Sequence, residues 1–291
     1  MEFLTALLNG LSSGGTYAII AIGYTMVYGI AKMLNFAHGD IIMTGGYAMF
    51  STLLLIGHPI PALIVAVVFC VILGVCVERF AYRPLRGASS LAVLITAIGV
   101  SSLLQSLAQI IFGVAPKMPL ELQIRGALSI GNFRINYSTL VTLAVTILVM
   151  IGLTLFVKFS KPGRAMVAVS EDRGAAQLMG INTNGIITLT FAIGSALAAI
   201  AAYLMLMKAP SLSSTLGAMP GIKAFTAAVI GGIGSIPGAM LGGILLGVIE
   251  SVALSIPVLA PFADAIEFAV LIVILLVKPA GLLGKARREK V

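Results

Sequence analysis

The chain has 291 residues, of which 59% are hydrophobic and only 10% charged, and its formal net charge is +8. A soluble domain carries about 25% charged residues to keep its surface in water, so this composition excludes an ordinary globular protein and places most of the chain in lipid. The basic residues fall in short clusters between apolar runs rather than in one patch, a pattern that fixes membrane orientation and argues against nucleic-acid binding.

The apolar runs are continuous, as in Ala62 to Val77 and Leu140 to Val157. A membrane-spanning barrel would instead need segments of roughly ten residues that alternate apolar and polar. The predicted fold class is therefore all-α, a polytopic transmembrane helical bundle. Met1 to Asn9 carries no basic n-region and no small-residue cleavage site follows, so the first apolar segment is expected to be retained. Cys70 and Cys76 lie in one apolar run and read as small packing residues.

In chain order, the first predicted segment runs from Thr5 to Ile30, the second from Ile41 to Ile56 and the third from Pro61 to Val77. A fourth covers Leu91 to Phe112, and a polar stretch from Gly113 to Tyr137 separates it from a fifth, Ser138 to Val157. The most polar interior stretch, Lys158 to Gly185, follows, and then a sixth segment from Ile186 to Met207. A Gly/Pro/Ser-rich loop, Ala209 to Gly221, leads into Ile222 to Leu254, which reads as two short segments broken at Gly231 to Gly238. A last segment, Ala263 to Val277, precedes the basic tail Lys285 to Lys290.

Thirteen Lys and Arg residues fall in one set of loops and five in the other, namely Lys117, Arg125, Arg134, Lys208 and Lys223. The first set is expected to be cytoplasmic, which puts the N-terminus outside and the C-terminus inside. The expected count is eight to ten spans, because the Gly-rich segments read equally as whole helices or half-helices. Residues 1–291 form a single domain, with a cytoplasmic loop at 158–185 and an extracytoplasmic loop at 113–137. No fixed-period repeat is evident, but Asn35 to Tyr47 and Gly234 to Leu246 share a helix break followed by a Gly-rich helix start. Transporters built from two related halves use such paired breaks at a central pathway.

Three segments carry candidate chemistry. Asn35, His38, Gly39 and Asp40 lie between two apolar runs. Polar groups at membrane depth cost several kcal/mol unless paired or wetted, and so face a bundle interior or a cavity. The segment reads either as a break lining a translocation path or as an ordinary cytoplasmic turn. Gly234, Ser235, Pro237 and Gly238 form a second candidate break. Gly238 and Gly242, and Gly243 and Gly247, make overlapping small-xxx-small pairs, for which close helix packing is the favoured reading. A phosphate-cradling loop is excluded, because no Gly-Lys-Ser or Gly-Lys-Thr follows. In the loop after Lys158, Ser170-Glu171-Asp172 reads as a helix start, with acids at the positive end of the dipole. Ala175, Ala176 and Leu178 continue the short helix and Gly180 stops it. A small apolar helix of this kind suits docking of a soluble partner.

Walker, metalloprotease and nucleophile-elbow motifs are absent from the sequence, and no polar segment is long enough for a nucleotide-binding domain. Glu250, Asp264 and Glu267 in the late segments read as too sparse for a proton relay. An enzyme is not expected, and any energy for transport has to come through another chain.

The blocks Ala21–Gly29 (AIGYTMVYG), Leu34–Gly39 (LNFAHG), Glu78–Arg86 (ERFAYRPLR), Leu178–Asn182 (LMGIN) and Lys223–Ala239 (KAFTAAVIGGIGSIPGA) occur in this order and span nearly the whole chain. Together they resemble the LivH-type permease of bacterial high-affinity branched-chain amino-acid ABC transporters. The resemblance implies a multi-pass protein of the bacterial cell membrane, paired with a second permease of LivM type, two cytoplasmic ATPase subunits and an extracytoplasmic substrate-binding protein. ATP would bind the partner subunits, leaving this chain without a cofactor. The coupling segment would fall on Ala165 to Asn182, with Arg164, Glu171, Asp172, Ala175, Ala176, Leu178 and Gly180 as its candidate contacts. The Glu-Ala-Ala-x-x-x-Gly coupling pattern of other ABC permeases is altered here, since Gly174 precedes Ala175 and Ala176 and the acids lie earlier. Competing expectations are a related permease for urea, short amides or other amino acids, an ion-coupled secondary carrier, and a membrane scaffold.

Overall fold

A computed structural model describes residues 2–130 and 133–284, so the basic tail Lys285 to Lys290 lies outside the described residues. In lipid every backbone N–H and C=O must be satisfied within the protein, which forces continuous apolar runs into helices. The elements are α1 (Glu2–Ala31), α2 (His38–Ile56), α3 (Pro59–Val77), α4 (Ser90–Phe112), β1 (Ala127–Ile130), β2 (Phe133–Asn136), α5 (Tyr137–Phe159), α6 (Lys161–Glu171), α7 (Arg173–Leu178), α8 (Thr183–Lys208), α9 (Ala218–Gly231), α10 (Ile236–Ser255) and α11 (Ala263–Val277). Among the described residues, eight helices are long and apolar enough to cross a membrane, and α9 is a shorter apolar helix. The fold is the expected helical bundle.

At 30 residues, α1 is about 45 Å long at 1.5 Å per residue. It is the central column, packed against α10, α8, α9 and α5, while α2 packs on α3 and α8. The α1–α10 seam is made of backbone. A Cβ added at Gly243 would lie 2.4 Å from the Ala18 nitrogen, and one at Gly247 would lie 2.1 Å from the Gly14 nitrogen. Helices with no side chain at the contact approach closely enough for dispersion to replace the hydrophobic drive that lipid does not supply. Outward faces of α3, α4, α5 and α11 expose large apolar side chains such as Ile72, Ile110, Leu148 and Leu276, as a surface facing lipid or another apolar chain requires.

Four local expectations change. Ser170 and Glu171 end a helix, and the expected helix start falls on Asp172 alone. Pro162 and Gly163 suggest breakers, yet Pro162 occupies the first turn of α6, where its missing N–H costs nothing. The Ser160 hydroxyl caps the same turn by accepting from Gly163 N–H at 2.9 Å. Asp172 then caps α7, accepting from Ala175 N–H at 3.0 Å. The stretch from Gly113 to Tyr137 contains an antiparallel β1–β2 pair, with Ala127 opposite Asn136 and Leu128 opposite Ile135. The segment after the Gly231–Gly238 break is one continuous 20-residue helix, α10. Finally, Lys223, counted above as a loop residue, lies inside α9 and is buried. The charge asymmetry between the two sets of loops survives its removal.

Candidate functional site

The chain leaves α1 at Ala31 and turns back through residues 32–37, so that α2 begins beside α1 rather than beyond it. His38 consequently lies against Gly23, eight residues back along α1, where an added Cβ would sit 2.6 Å from its Nε2. The Tyr24 ring meets the imidazole edge-on at 4.8 Å. Asn35 Oδ1 accepts from the Tyr82 hydroxyl at 2.8 Å, and Asp40, in the first turn of α2, accepts from Gln105 Nε2 at 2.8 Å. Gly39 backs onto Gly217, the residue before α9.

Asn35, His38 and Asp40 are all at most 3% exposed, and Asn35 Nδ2 and His38 Nε2 have no hydrogen-bond partner among the described residues. Buried donors and acceptors of this kind are uncommon and call for an explanation. A cavity of about 620 Å³ is lined by other residues of the same break, Lys32, Met33, Leu34 and Phe36, and by Arg86 and Arg173.

The second break lies between Gly231 and Ile236. Gly232 and Gly234 have φ of 107° and 95°, values open to glycine and strained for other residues. Ser235 caps α10 through Gly238 N–H at 3.1 Å, and Pro237 occupies the first turn. Gly234 seats against Gly29 of α1, with 3.3 Å from an added Gly29 Cβ to the Gly234 Cα. Gly29 is three residues before the first break begins, so the fold brings the two breaks together at one end of α1.

The loop between α5 and α8 lies beside both. Met166, Val167 and Ser170 of α6 share a crevice with Thr25 and Gly29 of α1 and Gly234 of the second break. The Arg173 guanidinium at the start of α7 donates to the Ala31 carbonyl at 3.4 Å, at the edge of the first break. Of the remaining residues of this loop, Ala176 is buried, whereas Arg164, Glu171 and Asp172 face outward. Leu178 and Met179 are 91% and 82% exposed at the tip, and Gly180 turns the chain with φ of 80°.

Two groups of functional interest escape a sequence reading. Glu78, in a π-helical turn after α3, is 1% exposed and is bound by Arg86 and by the Thr188 hydroxyl, the latter at 2.8 Å. Burial lowers the Arg86 pKa from its ordinary value, Glu78 opposes this, and the nearby Arg173 and Arg83 add to the lowering. The second group is Lys223, whose Nζ lies 2.5 Å from Glu250 Oε1, 2.7 Å from Asp264 Oδ1 and 3.3 Å from Glu267 Oε1. The acids are sparse along the chain but adjacent in space. The available signal was Lys223 itself, since a lysine inside an apolar helix must find a partner.

Spanning helices gathered round a central column, with two interrupted connections meeting beside a compact loop, define a multi-pass membrane protein of the permease class. Residues 6–275 match the model of the family described as branched-chain amino acid transport system / permease component. The chain belongs to that family. It is 46% identical to the high-affinity branched-chain amino acid transport system permease protein BraD of Pseudomonas aeruginosa, over 100% of this chain and 98% of the relative. It is 44% identical to LivH, the corresponding permease protein of Escherichia coli K12, again over 100% and 98%. A probable LivH of Methanocaldococcus jannaschii is 28% identical over 91% of this chain and 88% of that protein.

Proposed function

We propose that the chain is a permease subunit of an ATP-driven importer that carries leucine, isoleucine and valine by alternating access. In this reading it pairs with a second, related permease, two cytoplasmic ATPases and an extracytoplasmic binding protein in the bacterial inner membrane. ATP binds the ATPases, and this chain holds no cofactor. The N-terminus lies outside, the loop at 158–185 is cytoplasmic and docks the ATPases, and the loop at 113–137 faces the binding protein. Asn35, His38, Gly39, Asp40 and Gly234 to Gly238 border the path.

The observation that carries the reading is the position of one loop beside both breaks: α6 lines one crevice with Gly29 and Gly234, and Arg173 reaches Ala31. A force applied at the exposed Leu178–Met179 tip is thereby delivered to the two places where the helices are interrupted. Lever-like transmission through packed, two-position elements is how a distant binding event moves a gate. The substrate class rests on the relatives' names.

The test is a mild-detergent pull-down of the tagged chain from its native membrane, followed by reconstitution with whatever co-purifies. A second permease and two ATPases are expected, with leucine uptake that needs ATP and the binding protein. Recovery of the chain alone, still supporting uptake in liposomes, would replace the importer with a secondary carrier. Uptake of urea or a short amide in place of leucine would move the substrate class.

A further inference from the structure

The seam between α9, α10 and α11 holds three carboxylates and one ammonium. Lys223 Nζ lies within 3.3 Å of an oxygen from each of Glu250, Asp264 and Glu267. The other groups that face the cluster are Tyr17 of α1, whose ring centre lies 5.8 Å from Lys223 Nζ, and Lys208 at the end of α8, which feels the Glu250 charge at longer range. With every acid ionised, negative charge exceeds positive even when Lys208 is counted.

The three acids are not equivalent. The Asp264 side chain is 54% exposed, Glu250 is 15% exposed and Glu267 is fully enclosed. Water can screen Asp264, and Glu250 has the shortest of the three contacts with Lys223. Glu267 has only the longest of the three contacts with Lys223, and its second oxygen, Oε2, is buried with no partner among the described residues. An uncompensated buried charge costs several kcal/mol, so a positive charge is missing and Glu267 Oε2 is where it is missing. A divalent metal does not fit. The acids' oxygens come within 4.8 Å of one another, as a metal site would need, but the Lys223 ammonium already occupies the centre.

We propose that Glu267 Oε2 binds one small monovalent cation, a proton or an alkali-metal ion. The proton asks for no cavity and converts the carboxylate to a neutral acid; an alkali ion leaves it ionised and paired. Either way, the charge held there sets how firmly α9 is tied to α11, and the far end of α9 forms the second break. The inference stands on the charge count and burial, independently of the transported substrate.

The test is infrared difference spectroscopy and thermal unfolding of the intact complex in lipid nanodiscs, comparing the natural protein with Glu267→Gln. A carbonyl band of a protonated carboxylic acid at neutral pH, lost in Glu267→Gln, identifies the proton. Sodium or potassium chloride raising the melting temperature above choline chloride at equal ionic strength, with the rise lost in Glu267→Gln, identifies the alkali ion. Neither a protonated-acid band nor a cation-specific rise in the natural protein overturns the proposal, and so does a band that persists in Glu267→Gln, which would assign the proton to another acid. Should Glu267→Gln fail to fold, loss of the natural protein's band on alkaline titration, together with the salt comparison, decides between the same outcomes. Since uptake is not the readout, failure here is separable from failure of the importer reading.

Discussion

The two helix breaks are built from similar residues but closed in different ways. At the second break the helix ends meet neutral partners. Gly232 N–H donates to Ala228 O at 3.0 Å, the N–H groups of Leu282 and Leu283 donate to the carbonyls of Ile230 and Gly231 at 2.8 and 2.9 Å, and Ser235 caps α10. At the first break Lys32 N–H also donates to Tyr28 O at 2.9 Å, but the carbonyls beyond it are met by charged side chains, Lys32 Nζ on Gly29 O at 2.5 Å and Arg173 on Ala31 O. Helix α2 starts there without a side-chain cap, and Asn35 Nδ2 and His38 Nε2 have no partner among the described residues. A break closed by backbone and a short hydroxyl is a fixed kink. One closed by long charged side chains, one of them from the loop that lies beside both breaks, with hydrogen-bonding capacity left open, is suited to change its arrangement. The first break is therefore expected to move and the second to hold.

The largest effect should come from violating the rigid side. A Cβ at Gly231 would lie 1.9 Å from the Gly238 carbonyl oxygen, which is backbone and has nowhere to go. Gly231→Leu is expected to cost about 3 kcal/mol or more by overpacking and to leave little folded protein, measured as the monodisperse fraction in detergent chromatography. A well-folded Gly231→Leu protein would mean that the second break is as adaptable as the first.

Arg173→Ala tests the link at the mobile side. A hydrogen bond from a charged donor contributes about 1.5–3 kcal/mol, and losing it should lower uptake about tenfold while the purified complex keeps its composition and its ATP hydrolysis. Uptake falling in step with ATP hydrolysis would instead mean that Arg173 supports assembly rather than transmission.

His38→Leu should separate stability from function. Replacing a buried, unpartnered nitrogen with an apolar group removes a desolvation penalty of about 1–3 kcal/mol, so the melting temperature is expected to hold or rise as uptake falls. If the melting temperature drops sharply, the imidazole is a structural post, and the first break is as fixed as the second.

How far this contrast is legible in the sequence depends on the range of the interactions that make it. The spans are local facts: an apolar run of about 20 residues in lipid has one outcome, and the structure differs from the reading mainly by a few residues at the ends. The breaks are local too, since glycine, proline and asparagine interrupt the runs at 35–40 and 231–238. What closes the breaks is not local. Ala31 is met by Arg173, Ile230 and Gly231 by Leu282 and Leu283, and Lys223 by acids at 250, 264 and 267. Each pairing depends on which helices are neighbours, and only packing decides that. The short α6 helix was hidden for a different reason: Pro162 and Gly163 look like breakers until Ser160 is seen to cap them.

The smallest effect sharpens the contrast from the quiet side. Ser235→Ala removes one cap from α10, and such losses typically cost about 1 kcal/mol. Pro237 still fixes the first turn and the Leu282 and Leu283 hydrogen bonds still hold the end of α9, so the kink should keep its shape. The expected result is a melting temperature lower by a few degrees and uptake within about twofold of the natural protein, a much smaller change than the roughly tenfold loss expected for Arg173→Ala, whose interaction is of the stronger, charge-assisted kind. Were Ser235→Ala to abolish uptake at unchanged stability, its hydroxyl would have to leave Gly238 during the transport cycle, and the second break would join the first among the moving parts.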